Sequence, residues 1–182
     1  MIWWIGYLVL LTILFVRVQN PDAAPRPPLF AEPDEPVRLI QAHHWLFYGV
    51  LLGTPLEAAL RGGAAPWRLV GLALFAAGVA LYRLGGSALG DSLSPLVNPR
   101  LGATLVTSGP YRHVRHPMYL GQACIAVGAP LTLGSRWVLW LALPALVLLV
   151  ARAVLEDAAL ARTYPEHARW AARTKRLVPF VF

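Results

Sequence analysis

Hydrophobic positions fall into five long apolar runs separated by short polar or proline-rich breaks. Met1 to about Val16 is the first run, rich in Trp, Leu and Ile. No basic residue precedes it and Arg17 follows it, so it lacks the charged start of a cleaved signal. It reads as a retained membrane helix, short against the roughly 17–25 residues such a helix needs. Gln19 to Pro36 contains Pro21, Pro25, Pro27, Pro28, Pro33 and Pro36, which exclude a helix and predict an irregular polar connection.

About Val37 to Leu60 is a second span, weakened by Gln41, His43, His44 and Glu57. Polar groups at membrane depth usually face the bundle or a cavity. Adjacent His43 and His44 cannot share one helix face, so the pair does not read as a metal site and is expected in packing or at the interface. Pro66 to about Leu84 is the third span, and its Gly71, Ala73, Ala76, Ala77, Gly78 and Ala80 allow close helix approach. Gly85 to Arg100, with Gly85, Gly86, Gly90, Pro95 and Pro99, predicts a loop or broken helix. Pro117 to Leu133 and Arg136 to about Arg152 are the fourth and fifth spans. The two residues Gly134-Ser135 between them predict an antiparallel helical hairpin.

Composition strengthens this picture. The chain has 182 residues, 57% hydrophobic and 14% charged, with a mean hydropathy of +0.55. Soluble domains run at about 45–50% apolar and about 25% charged. The expected fold class is therefore all-α: an integral membrane bundle of about five transmembrane helices with a cytoplasmic C-terminal amphipathic helix. Residues 1–84 would form three helices, and residues 85–182 the core with the central loop, the helical hairpin and the basic tail. The single cysteine, Cys124, allows no intramolecular disulfide and no thiolate metal cluster.

Charge adds orientation. Of the 16 Lys and Arg, all but Arg61, Arg68 and Arg136 fall on one side of the five-span arrangement. That bias places the N-terminus outside and the C-terminus in the cytoplasm. The net charge of +7 fits lipid contact at the anionic leaflet better than nucleic-acid binding. Usage rich in Ala, Leu, Arg and Pro points to a GC-rich bacterium, and hence to its inner membrane.

The chemistry concentrates in Thr104 to Gly121, TLVTSGPYRHVRHPMYLG. Arg112, His113, Arg115 and His116 sit between two apolar runs, Gly109-Pro110 signals a turn, and Pro117 suits the first turn of a helix. A helix start offers free N–H groups and partial positive charge to an anion. Such a loop could serve only to anchor on anionic lipid, but the interleaved His, Pro and Tyr are not needed for anchoring. Further on, Arg152 and Glu156 are four residues apart and share a helical face. They could form an interfacial ion pair, or a charged wall under the central loop in which Arg152 holds a carboxylate. The tail then alternates Leu160, Tyr164 and Trp170 with Arg162, Arg169, Arg173 and Lys175, which reads as an interfacial helix interrupted by Pro165.

Leu105 to Gly121, the following hairpin, Arg152-x-x-x-Glu156-Asp157 and the basic tail ending Arg176-Leu-Val-Pro-Phe180 together resemble the isoprenylcysteine carboxyl methyltransferase family. The related phospholipid methyltransferases share the same broad pattern. The resemblance runs from about Leu84 to the C-terminus. It implies an integral membrane enzyme transferring a methyl group from S-adenosylmethionine to a lipophilic acceptor that enters from the bilayer. It also implies that Ala103, Thr104, Leu105, Val106, Tyr111, His116, Pro117, Met118, Tyr119 and Glu156 contact the cofactor, and that Arg152 binds the substrate. Arg152 and Glu156 are the candidate catalytic residues, and no metal is implied. Ala103 stands where the eukaryotic enzymes have His, and Asp157 is the second acid of what is otherwise a Glu-Glu pair. The expected acceptor is an isoprenylcysteine-like carboxylate. The alternatives are a phospholipid or other amine, a thiol, or, outside enzymes, a small membrane scaffold or transporter subunit.

Overall fold

The computed structural model describes residues 1–15, 36–61 and 65–177. The proline-rich connection expected over Gln19 to Pro36 lies outside them, apart from Pro36. The first apolar run forms a helix over Ile2–Phe15 (α1) that buries only Tyr7 and Leu14, two turns apart. Trp3, Leu10 and Leu11 pack partly buried against the core, while Ile2, Ile5, Leu8 and Val9 face outward.

The second helix, Val37–Arg61 (α2), contains Pro55. Proline has no N–H, so the carbonyl four residues earlier loses its helical partner. That carbonyl belongs to Leu51, and the Tyr7 hydroxyl donates to it at 2.5 Å. A local helix defect thus becomes the polar link between α1 and α2.

The third helix, Arg68–Leu89 (α3), continues through Gly85 and Gly86. A short 3-10 turn at Gly90–Ser92 follows before the chain opens into a loop. The expectation of a loop or broken helix from Gly85 is therefore corrected to a start at Gly90. The cause is tertiary: a Cβ on Gly85 would lie 2.7 Å from Met118 Cγ, so glycine there serves close packing.

The fourth helix, Pro117–Leu133 (α4), has the bounds that Pro117 and Gly134-Ser135 predict. Its contact with α3 is backbone on backbone. A Cβ on Gly78 would sit 2.7 Å from Gly121 O, one on Gly128 2.5 Å from Phe75 N, and one on Gly71 2.5 Å from Thr132 N. Small residues are what allow such approach in lipid, where there is no hydrophobic drive between helices.

Gly134 caps α4 in the left-handed conformation, at φ 80°, and α5 begins at once, spanning Trp137–Thr163. Glu57 of α2 closes its first turn. Its carboxylate accepts from the N–H groups of Arg136, Trp137 and Val138 at 2.9–3.0 Å, where the helix dipole favours negative charge. The helix continues past Arg152, where the span was expected to end, as far as Thr163. Along it Trp140, Leu143, Val147, Val150 and Val154 form an exposed apolar stripe.

Beyond Thr163 the tail holds one five-residue helix, His167–Ala171 (α6), with His167 and Trp170 buried. The interfacial amphipathic helix expected over this tail, interrupted at Pro165, is reduced among the described residues to that short helix. Among them the fold is all-helical, with no strand beyond an isolated bridge between Val114 and Lys175. Two helices, α3 with its 3-10 extension and α5, are long and apolar enough to cross a membrane; α1 and α4 are shorter apolar helices.

Candidate functional site

One end of the bundle gathers the central loop, the start of α4, the last turns of α5 and the tail. Arg115 and His116 turn inward there while Arg112 and His113 stay exposed. The inward pair is held by backbone pairing with the tail: Arg115 N donates to Lys175 O at 2.8 Å and His116 N to Arg176 O at 3.0 Å. Two ring groups tie the tail further, Trp170 Nε1 to Tyr111 O and the Tyr164 hydroxyl to Ala103 O, each at 2.9 Å.

Asp157 anchors this assembly. Its Oδ1 accepts from Arg115 Nε at 2.9 Å and lies 3.1 Å from His167 Nε2. Its Oδ2 accepts from Arg176 Nε and Nη2 at 3.2 and 3.1 Å. A buried carboxylate between two guanidinium groups keeps both its oxygens satisfied. Asp157 thus fastens the tail, whereas its neighbour Glu156 faces the cavities.

The principal cavity, about 370 Å³, lies between α3, α4 and α5, and its wall includes Tyr82, Met118, Gln122, Arg152 and Glu156. That volume falls in the roughly 300–1,000 Å³ range of small-molecule sites. Tyr119 connects its charged groups. The Tyr119 hydroxyl donates to Glu156 Oε2, its ring stacks on His116 at 5.5 Å between centroids, and the Arg152 guanidinium lies 5.4 Å from the ring centroid. His116 Nδ1 is 3.9 Å from Glu156 Oε1.

Arg152 is buried and gripped from two sides. Nη2 donates to Pro95 O at 2.5 Å and Nη1 meets His44 Nε2 at 3.3 Å. Two buried polar atoms on residues lining this cavity, Gln122 Oε1 and Arg152 Nε, have no hydrogen-bond partner, whereas His116 Nε2 faces Asp157 Oδ1 at 3.7 Å. Leaving such an atom unpaired costs about 1–3 kcal/mol, and two beside one cavity fit a site that receives a polar ligand.

A second, narrower cleft of about 60 Å³ adjoins the first through Tyr111 and Glu156, which line both. Thr104, Leu105 and Val106 form its loop side, and Tyr164 and Trp170 close it from the tail. Tyr111 sits in a short 3-10 turn of the central loop, Gly109–Arg112. Burial, with Glu156 and then Tyr82 adding, pushes its hydroxyl well above the usual phenol range, so it stays a neutral donor.

The residues singled out in the sequence therefore separate into groups. Thr104, Leu105 and Val106 lie in the narrow cleft, and His116, Met118, Tyr119 and Arg152 in the principal cavity. Tyr111 and Glu156 belong to both. Ala103 lines neither; it borders an open hollow with Arg100 and Arg162. Pro117 is fully buried against the Gly85 backbone and lines none of these cavities, so its place is structural, at the start of α4. Sequence reasoning missed His44 as a wall residue, and Arg115, His167 and Arg176 as partners of Asp157. The basic pattern flagged the arginines, but nothing local named their partner.

A glycine-matched helix pair, exposed apolar stripes and a polar cavity at one bundle end describe a helical protein associated with membranes. Residues 67–167 match the phospholipid methyltransferase family, more than half of the chain, and the protein belongs to that family of isoprenylcysteine- and phospholipid-type membrane methyltransferases. The match covers α3, α4, α5 and the loop between them. No curated protein matches the chain. The family implies S-adenosylmethionine as methyl donor.

Proposed function

We propose that this protein transfers a methyl group from S-adenosylmethionine to the carboxylate of a lipophilic, isoprenylcysteine-like acceptor. The observation that carries the reading is the principal cavity. It combines Arg152, Glu156 and two unpaired buried polar atoms, Gln122 Oε1 and Arg152 Nε, between two helices that can cross a membrane.

The residues fit the cofactor by their chemistry. His116, Tyr119 and Glu156 offer a ring face, a hydroxyl and a carboxylate, and Thr104 to Val106 with Tyr111 offer an adjoining cleft. When bound, S-adenosylmethionine supplies a sulfonium methyl open to in-line displacement. The protein's own work is alignment and charge. Arg152, fixed by Pro95 and His44, would hold the acceptor's anion beside the cavity. A carboxylate is already ionised at pH 7, so no base is required. Exclusion of water by Trp170, Tyr164 and the tail strengthens each of these charge contacts. N-methylation of a phospholipid amine is the competing reading, favoured by the family description; there the acceptor is cationic or neutral, and Arg152 would be an awkward neighbour for it.

In the membrane we read α1 to α5 as five spans, α1 to α3 forming the entrance side, with the N-terminus outside. The site end would then face the cytoplasm of a bacterial inner membrane, where the basic tail meets anionic lipid. The geometry agrees with the charge bias in one respect: the central loop and the tail share one end of the bundle. Titration of the detergent-purified protein with S-adenosylmethionine by calorimetry tests the cofactor assignment. Saturable binding is expected, weakened in Glu156→Ala by about 1.5–3 kcal/mol for one charge-assisted hydrogen bond. Absence of binding to the wild type would leave the scaffold reading in place.

A further inference from the structure

The wall of the principal cavity comes almost wholly from residues 67–167, the segment the family match covers. His44, on α2, is the wall residue that comes from outside it. It also touches the most consequential group in the cavity, since His44 Nε2 lies 3.3 Å from Arg152 Nη1. A guanidinium can only donate. His44 Nε2 must therefore accept, which makes the imidazole neutral with its proton on Nδ1. His44 stacks on Tyr48, one turn further along α2, at 6.3 Å and 22° between ring planes, which limits its rotation.

We infer that His44 is the positioning residue that sets acceptor selectivity, by holding the Arg152 guanidinium in the orientation that receives an anionic group. The inference rests on the proposed role of Arg152 and extends it to an element outside the matched region. Arg152 has five N–H donors. Pro95 O and His44 Nε2 take one each, on Nη2 and Nη1, and Nε has no partner. The two contacts grip opposite terminal nitrogens, so the plane of the fork is fixed before an acceptor arrives. Such preorganisation lowers the ordering cost of binding. Without His44, Pro95 O alone holds the group, which can then turn about that single contact. The Tyr119 face gives no directional restraint in its place.

His44→Ala should therefore weaken a carboxylate acceptor while sparing the cofactor, whose expected contacts lie on α4, Glu156 and the central loop. His44→Gln should restore most of the loss, because its amide oxygen can accept from Nη1. The test uses purified full-length protein and three probes of equal chain length: a farnesylated cysteine with a free carboxylate, a phosphatidylethanolamine and a long-chain thiol. Equilibrium binding of the farnesylated cysteine without cofactor, S-adenosylmethionine affinity, and KM and kcat are measured separately. Expected for His44→Ala is a loss of roughly tenfold or more in carboxylate affinity and KM, the scale of one charged hydrogen bond. kcat at saturation and cofactor affinity should stay near wild type, and His44→Gln should lie close to wild type in all of them.

The inference is overturned if His44→Ala keeps wild-type carboxylate affinity, if His44→Gln is as impaired as His44→Ala, or if both lose cofactor affinity equally. The last result would assign His44 to packing of α2. A wild-type enzyme that binds and methylates the amine probe but not the carboxylate would instead refute the carboxylate reading itself, whatever the His44 variants do.

Discussion

Tyr119 and Glu156 meet across the α4–α5 interface, the phenol of one helix donating to the carboxylate of the other. The same ring lies against His116 and beneath Arg152, so one side chain touches every charged group proposed for the reaction. Its neighbours act as a unit, which makes it testable by a double-mutant cycle. Tyr119→Phe keeps the ring and removes the hydroxyl, and Glu156→Gln keeps the shape and removes the charge. Each should weaken S-adenosylmethionine binding. The double variant should lose less than the sum, with a coupling of about 0.5–3 kcal/mol. Strict additivity would place the two residues in independent sites.

Asp157 should matter for a different reason. With Arg115 and Arg176 both on its carboxylate, Asp157→Ala leaves two guanidinium groups without their anion. Breaking a buried ionic network costs about 3–5 kcal/mol; the low end applies here, since the Arg176 side chain keeps 26% exposure. The tail should then peel from the central loop. Limited trypsin digestion should cut after Arg173, Lys175 or Arg176 much faster than in wild type. Equal cleavage rates would mean that Trp170 and the backbone pairing hold the tail without Asp157.

The α3–α4 contact gives a paired prediction. Gly128→Ala places a methyl 2.5 Å from Phe75 N, a backbone atom that cannot step aside. Overpacking of this kind costs about 1–3 kcal/mol, read as a lower thermal midpoint in detergent. Gly86→Ala meets nothing nearer than Met118 Cε at 3.7 Å. It should be neutral or stabilising, because Ala in a helix gains about 0.5–1 kcal/mol over Gly. If both variants shift the midpoint alike, backbone contact is not what holds α3 to α4.

These features differ in how far the sequence announces them. The bounds of α4 are legible because Pro117 and Gly134 act locally, one presetting φ at a helix start and the other supplying a left-handed cap. Gly85 and Gly86 mislead by the same local logic: their propensity argues against a helix, and the Met118 contact that keeps them in one is thirty-odd residues away. The tail misleads similarly. Its basic and aromatic alternation fits a surface helix, yet His167 and Trp170 turn inward because Asp157 and the Tyr111 carbonyl wait for them. Arg152 and Glu156 stood out by spacing alone. The His44 contact with Arg152 spans 108 positions, and no periodicity carries that information.

Arg152 carries the central claim. The direct measurement is transfer of labelled methyl from S-adenosylmethionine to carboxylate, amine and thiol lipids by wild type, Arg152→Ala and Arg152→Lys, with cofactor affinity recorded for each. The account predicts that wild type prefers the carboxylate and that Arg152→Ala nearly abolishes transfer with little change in cofactor affinity. Arg152→Lys should recover only part, because an ammonium lacks the planar fork that takes both oxygens. Full activity of Arg152→Ala on an amine lipid would contradict carboxyl methylation and make the protein an amine methyltransferase.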